Sequence, residues 1–185
     1  YIDMPTQHGS DPMLKMMKRG LKSDGIKQRI ESLRNVNSNI SIRTSMIVGF
    51  PNETDQDFKD LCNFVQDVQF DRLGVFKYSE EDGTSAANDY IDNVPSNIKQ
   101  DRYDELMLIQ QKINYTKNQE RMGKIEKVLV DIVSDEGWSL ARSYKDAPEI
   151  DNYVKINSKL EKGAFYNVLI KEAYEYDVVG EIVSE

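Results

Sequence analysis

Few residues of this 185-residue chain are equipped for chemistry. There is one histidine, His8, and one cysteine, Cys62. A single thiol allows no disulfide within the chain and no cysteine-built zinc or iron–sulfur site, because each needs several sulfur ligands. Cys62 shares a helical face with Phe58, Leu61 and Val65, which suits a small buried hydrophobe. A lone histidine is more often a structural loop residue than a base. The other candidates flank strand-like runs. Gln7 follows Tyr1–Pro5, and its amide could bond a ligand or cap a loop. Arg43 stands in Ile40–Val48, where it either reaches a carboxylate or marks the strand's exposed start. Gly49 ends that run, where a missing Cβ lets a ligand approach the backbone or simply serves a turn. Val48 and Phe76 are either core or an apolar wall for a flat ring. Glu53 suits the first turn of the helix that follows it. Asp146, Glu149 and Asp151 crowd a turn-like segment stiffened by Pro148.

Alternating elements must position these groups. Tyr1–Pro5 reads as a short buried strand. Asp11 is a suitable N-cap and Pro12 a suitable first residue for a helix that Gly20 ends. Ser23 opens a second helix, with Ile26, Ile30, Leu33 and Val36 on one face. Ile40–Val48 is a strand, and Gly49-Phe50-Pro51-Asn52 breaks it. Thr54 caps a third helix, with Asp57 in capping-box register. Asp71–Tyr78 is a strand, Glu80–Pro95 a polar surface loop and Asn97–Arg121 a long helix. The order β-α-β-α-β-α predicts three parallel, adjacent strands joined by crossover helices. From Gly123 the chain changes to five short β-rich runs, Lys124–Val133, Trp138–Tyr144, Asn152–Ile156, Ala164–Tyr174 and Tyr176–Val183. Their spacing predicts a small antiparallel barrel of the oligonucleotide-binding type. The expected domains are 1–121 and 122–185.

Charge bears on the partner. The chain carries 24 Lys and Arg against 32 Asp and Glu, a formal net charge of −8. A dedicated nucleic-acid binder needs cations to displace counterions from phosphates, so this balance argues against one. Residues 122–185 hold 8 basic against 13 acidic side chains, and residues 1–121 hold 16 against 19. The acidity is therefore concentrated in the second domain, which suits a basic protein partner. On the alternative reading, Trp138 and the tyrosines fill the barrel and the acids solvate its outside. No apolar run approaches the roughly 20 residues of a spanning helix. One cysteine fits a reducing, cytoplasmic setting. The opening at Tyr1, inside a strand-like run, reads as a piece cut from a longer protein.

Several of these runs resemble the radical S-adenosylmethionine methylthiotransferase family. Tyr1-Ile2-Asp3-Met4-Pro5-Thr6-Gln7-His8 is similar to the fourth strand of its barrel, and Ile47-Val48-Gly49-Phe50-Pro51-Asn52-Glu53-Thr54 to the fifth strand and turn. Phe70-Asp71-Arg72-Leu73-Gly74-Val75-Phe76-Lys77-Tyr78-Ser79 resembles the sixth strand, and Glu81-Asp82-Gly83-Thr84 the loop after it. The last sixty residues resemble a TRAM domain. Within them, Ala141-Arg142-Ser143-Tyr144-Lys145-Asp146-Ala147-Pro148-Glu149-Ile150-Asp151 resembles the branch that modifies a small-subunit ribosomal protein. Asn52 stands where the family usually has glycine.

The resemblance implies the C-terminal half of a radical SAM β/α barrel followed by a TRAM domain. It implies a whole enzyme with two 4Fe–4S clusters and S-adenosylmethionine, in which a 5′-deoxyadenosyl radical takes a hydrogen from an aspartate β-carbon and a methylthio group is installed. The cluster cysteines of that family are not in this sequence, so no cluster, no bound cofactor and no activity are expected of the chain alone. Gln7, Arg43, Val48, Gly49 and Phe76 are the implied cofactor contacts, with Val48 and Phe76 flanking an adenine ring. Asp146, Glu149 and Asp151 are the implied contacts to a basic ribosomal protein, and contact with nucleic acid is not expected. A transfer-RNA-modifying parent, or a pure binding module, is the alternative. Unpaired edges of a half barrel would favour a dimer or exchange of elements.

Overall fold

A computed structural model describes residues 1–183; the last two residues of the 122–185 domain and of the whole sequence lie outside it. The first unit, Ile2–Gln110, is built on a three-stranded sheet. Its strands are β1 (Ile2–Asp3), β2 (Ile42–Val48) and β3 (Arg72–Lys77), all parallel and in sequence order. The helices are α1 (Asp11–Met16), α2 (Ser23–Val36), α3 (Asp55–Val68), the short α4 (Ser85–Asp89) and α5 (Ser96–Gln119). The Glu80–Pro95 loop thus contains one helical turn that its polar composition did not announce.

Strand β2 alternates strictly. Ile42, Thr44, Met46 and Val48 are buried, whereas Arg43, Ser45 and Ile47 are half-buried on the other face. Apolar faces of α1–α3 complete the core with Met13, Leu14, Ile26, Ile30, Leu61 and Phe64. Thr54 and Asp57 form the expected capping box. Burial alone would raise the Asp57 pKa, but bonds from Ser10 and Thr54 outweigh it and hold the carboxyl below its usual range. Asp11, the expected N-cap of α1, is its first helical residue, and Ser10 is the N-cap. The Asp11 carboxylate instead accepts bonds from the backbone and hydroxyl of Ser23 at the start of α2.

The second compact unit takes in Gln111–Glu185 and hence the end of α5. It holds β4 (Ile125–Val133), β5 (Ser139–Arg142), β6 (Val154–Ile156), β7 (Phe165–Ala173) and β8 (Val178–Ile182). They close into a barrel in the order β4-β5-β6-β8-β7. The barrel is mixed, not antiparallel as expected. Strands β6 and β8 run parallel, with Val154 opposite Val178 and Ile156 opposite Gly180. The core is aliphatic: Val128, Val130, Ala141, Val154, Ile156, Val168, Ile170 and Val178 fill it. Trp138 is only half-buried, and Tyr144, Phe165, Tyr174 and Tyr176 are exposed, so the aromatics do not form the core.

Candidate functional site

In a parallel sheet, ligands gather beyond the C-terminal ends of the strands, where loops meet and backbone donors are unspent. This sheet carries a cavity of about 530 Å³ at that end. Ile47 is the next-to-last residue of β2, while Phe76 and Lys77 end β3, and all three line it. Gln7 and Phe50 come from the loops after β1 and β2, Met17 and Arg19 from the end of α1, and Tyr78 from beyond β3. Phe50 and Tyr78 meet edge to face, with ring centroids 5.1 Å apart.

Two of the five expected cofactor contacts meet here. Gln7 has φ +74°, a left-handed conformation uncommon for a residue with a side chain. It is held there because its backbone spans Ser45 and Ile47 of β2. Phe76 is 55% exposed and covers Gly74, where a Cβ would crowd its ring. Val48 lies on the opposite, fully buried face of β2, and its neighbour Ile47 supplies the apolar wall. The Arg43 guanidinium donates to Asp3 at 2.8 Å, on an earlier part of the same sheet.

Gly49 is structurally required. Its φ is +70°, and a Cβ would collide with the aliphatic stem of Lys99, which occupies the space above it. The Lys99 ammonium continues to Asp92 at 2.6 Å and to the Tyr78 carbonyl at 3.1 Å. The Gly49 N–H donates to the carboxylate of Glu53. Glu53 therefore does not serve the first turn of α3 but anchors a buried cluster. His8 Nε2 lies 3.4 Å from one of its oxygens, and Arg102 lies 3.4 Å from the other. His8 Nδ1 accepts the Ser10 N–H at 2.9 Å, which places the ring proton on Nε2, facing Glu53. His8 is thus structural, as expected. Asn52 has φ +64° and exchanges two 2.8 Å bonds with Asn93, so asparagine supports the turn.

The cavity combines an aromatic and aliphatic wall with polar groups. Tyr78 has a buried hydroxyl with no hydrogen-bond partner among the described residues. Burial, helped by Glu80, Asp92 and Glu81, raises its pKa and keeps it a donor. Among the described residues no three His, Cys, Asp or Glu side chains come together as a metal-holding group. Burial pushes the Cys62 thiol up to about 12, which makes it a poor metal ligand.

In the barrel, the acidic loop is held by its own carboxylates. Asp146 is buried and accepts from the Ser143 hydroxyl at 2.7 Å. The half-buried Asp151 accepts from the Ala147 N–H at 2.8 Å. Glu149 is exposed, with φ +64°. Behind the loop, Arg121 binds Glu126 bidentately at 3.0 and 2.8 Å and reaches the Ser143 hydroxyl at 3.5 Å. Asn118 and Gln119 at the end of α5 donate to the carbonyls of Tyr174, Tyr176 and Ala173. Sequence reasoning missed Arg102 and Arg121 and gave Glu53 only a local role, because their partners are set by the fold rather than by local spacing.

Comparison with known proteins agrees with both halves. Residues 122–183 match the family model of the TRAM domain. All of the chain aligns with 39% of the ribosomal protein uS12 methylthiotransferase RimO of Vibrio cholerae, at 43% identity. It likewise aligns with 42% of the Clostridium acetobutylicum RimO at 43% identity, and with 43% of the Thermosipho melanesiensis RimO at 45%. From end to end the chain is RimO-like. It spans about two fifths of the length of these curated RimO relatives. In fold, 61% of the RimO-like chain superposes on 26% of the Escherichia coli coproporphyrinogen III oxidase HemN, a radical SAM enzyme, with a TM-score of 0.53 and 22% identity. No helix among the described residues is long and apolar enough to cross a membrane.

Proposed function

We propose that this chain is part of a cytoplasmic radical S-adenosylmethionine methylthiotransferase that modifies an aspartate of a basic small-subunit ribosomal protein. The alignment of all of the chain with about two fifths of its RimO relatives carries this reading, supported by the cavity at the strand ends. Residues 1–121 would supply the second half of the barrel and the linking helix, and residues 122–185 the substrate-binding TRAM domain. S-adenosylmethionine, bound with the 4Fe–4S clusters of the whole enzyme, would supply the radical chemistry that takes a hydrogen atom from an unactivated carbon. This chain's residues would bind and orient. Ile47, Phe50 and Phe76 would hold the adenine against an apolar wall, and the Gln7 amide would bond its polar atoms. Gly49 and Val48 would act from behind, by fixing the turn and strand that carry Phe50 and Ile47. Arg43 would keep β1 and β2 in register through Asp3.

On the barrel, Glu149 would meet the basic substrate, with Asp146 and Asp151 shaping the loop that presents it. Full-length enzyme offered ribosomal protein and transfer RNA side by side should modify only the protein. Glu149→Gln should slow association at low salt and lose that effect as salt rises, because an exposed charge acts mainly by steering. Modification of transfer RNA instead would establish the alternative parent.

Strands β1 and β3 each pair only with β2 among the described residues. Open sheet sides invite pairing. The chain alone is expected to dimerise or exchange elements at high concentration, and a monomeric sedimentation profile there would refute this.

A further inference from the structure

We propose that the free edge of β3 is a peptide-docking edge, on which an extended basic segment of the protein substrate adds as a further strand and runs to the mouth of the cavity. The identity of the substrate rests on the methylthiotransferase reading; the edge and its charge do not. One side of β3 is taken by β2, in unbroken register from Arg72 to Lys77. The other side meets no strand among the described residues. Such a side presents a row of unpaired N–H and C=O groups, which proteins commonly blunt with proline, a bulge or outward lysines. Strand β3 has no proline and no register shift. Its two cations are engaged. Arg72 is buried and donates to the Asp71 carbonyl at 2.7 Å, and Lys77 donates to Gln100 at 2.7 Å. Gly74 stands mid-strand, a residue type found where another backbone comes close.

Position and charge select the occupant. Phe76 and Lys77 end β3 and line the cavity, so a strand laid along β3 reaches its mouth and turns alternate side chains toward it. From Ser79 to Val94 the chain carries five acidic residues, Glu80, Glu81, Asp82, Asp89 and Asp92, and no basic one. Asp89 is paired with Lys18 and Asp92 with Lys99. Glu80, Glu81 and Asp82 are exposed and have no ion pair among the described residues, and Glu81 lines the cavity. The β1 side of the sheet differs. Strand β1 has two residues, Pro5 follows it, and the groove beside it is lined by Lys18, Arg19 and Arg29 among others. A basic chain is repelled there and attracted beyond β3.

Full-length enzyme and synthetic peptides spanning the target aspartate of the ribosomal protein test this. In one arm the peptide amides are N-methylated one at a time, which removes a single donor and leaves the enzyme unaltered. A strand added to β3 uses alternate amides. Binding should therefore fall about threefold to tenfold at every second position and change less than about twofold between. Backbone hydrogen exchange of Arg72–Lys77 should slow when the peptide is bound. In the other arm, Glu80→Gln, Glu81→Gln and Asp82→Asn are combined. The triple variant should bind the peptide about threefold to thirtyfold more weakly at low salt, and the loss should fade as salt rises. A peptide with its Lys and Arg replaced by Gln should not distinguish the variant from wild type. A methylation profile without alternation, or slowed exchange only elsewhere in the sheet, overturns docking on β3. Equal binding by the triple variant and wild type at low salt overturns the choice of a basic occupant. If the peptide does not bind but the intact ribosomal protein does, the proposal falls and the methylthiotransferase reading stands; if neither binds, both fall.

Discussion

Replacing Glu53 with alanine should cost the first unit about 3–5 kcal/mol, the usual penalty for removing one partner of a buried ion pair. Its side chain is fully buried and answers three groups at once: His8, Arg102 and the Gly49 N–H. Without it, Arg102 keeps Asp55, the Glu53 carbonyl and the Phe58 ring, and His8 Nε2 loses its acceptor. The loss should be local. Trp138 is the only tryptophan and belongs to the barrel, so its fluorescence follows that unit alone. Far-UV circular dichroism follows the helices, most of which belong to the first unit. Glu53→Ala should move the dichroism transition in urea to lower denaturant and leave the Trp138 transition in place. An unmoved dichroism transition would show that the cluster contributes nothing net. Glu53→Gln, which keeps one acceptor, should fall between.

The complementary result is expected from Arg121. It is buried, and burial works against its charge. The bonds and charge of Glu126 outweigh that, with help from Asp146 and Tyr144, so the guanidinium is held more firmly protonated than usual. Arg121→Ala leaves Glu126 buried and unpaired and should cost the barrel about 3–5 kcal/mol, read from the Trp138 transition. Replacing both partners with Arg121→Met and Glu126→Leu should restore most of the loss, since an apolar pair carries no desolvation penalty. A double variant as unstable as the single one would mean that Arg121 acts mainly through Ser143 and Asn118.

The sequence made the alternation of the first unit readable because strand and helix periods differ, and each helix begins with a recognisable cap or turn. The three parallel strands and the five runs of the barrel followed from that. Strand direction within the barrel did not, because β6 has three residues and nothing in Val154-Lys155-Ile156 distinguishes a parallel from an antiparallel neighbour. The cavity was legible in part. Gln7 and Phe76 line it, but within Met46-Ile47-Val48 every residue is apolar, so composition could not say which faced the helices. Asp146 and Asp151 looked like exposed charge, yet short carboxylates readily bond nearby backbone and hydroxyls, and here they do. Glu53 looked local, but its partners include a residue 49 positions later.

The parallel pairing of β6 with β8 also constrains how the barrel is made. Strand β8 joins both β6 and β7 and is the fifth of the five to leave the ribosome. During vectorial synthesis β4 can already pair with β5 and, once it appears, with β7, but the cylinder stays open until Val178–Ile182 emerges. For that interval the Val154 and Val168 edges are exposed to other nascent chains. Closure then depends on Gly180, where any side chain would strike Val168 inside the core. A bulkier residue there would act on the yield of folded nascent chain as well as on the stability of the finished barrel.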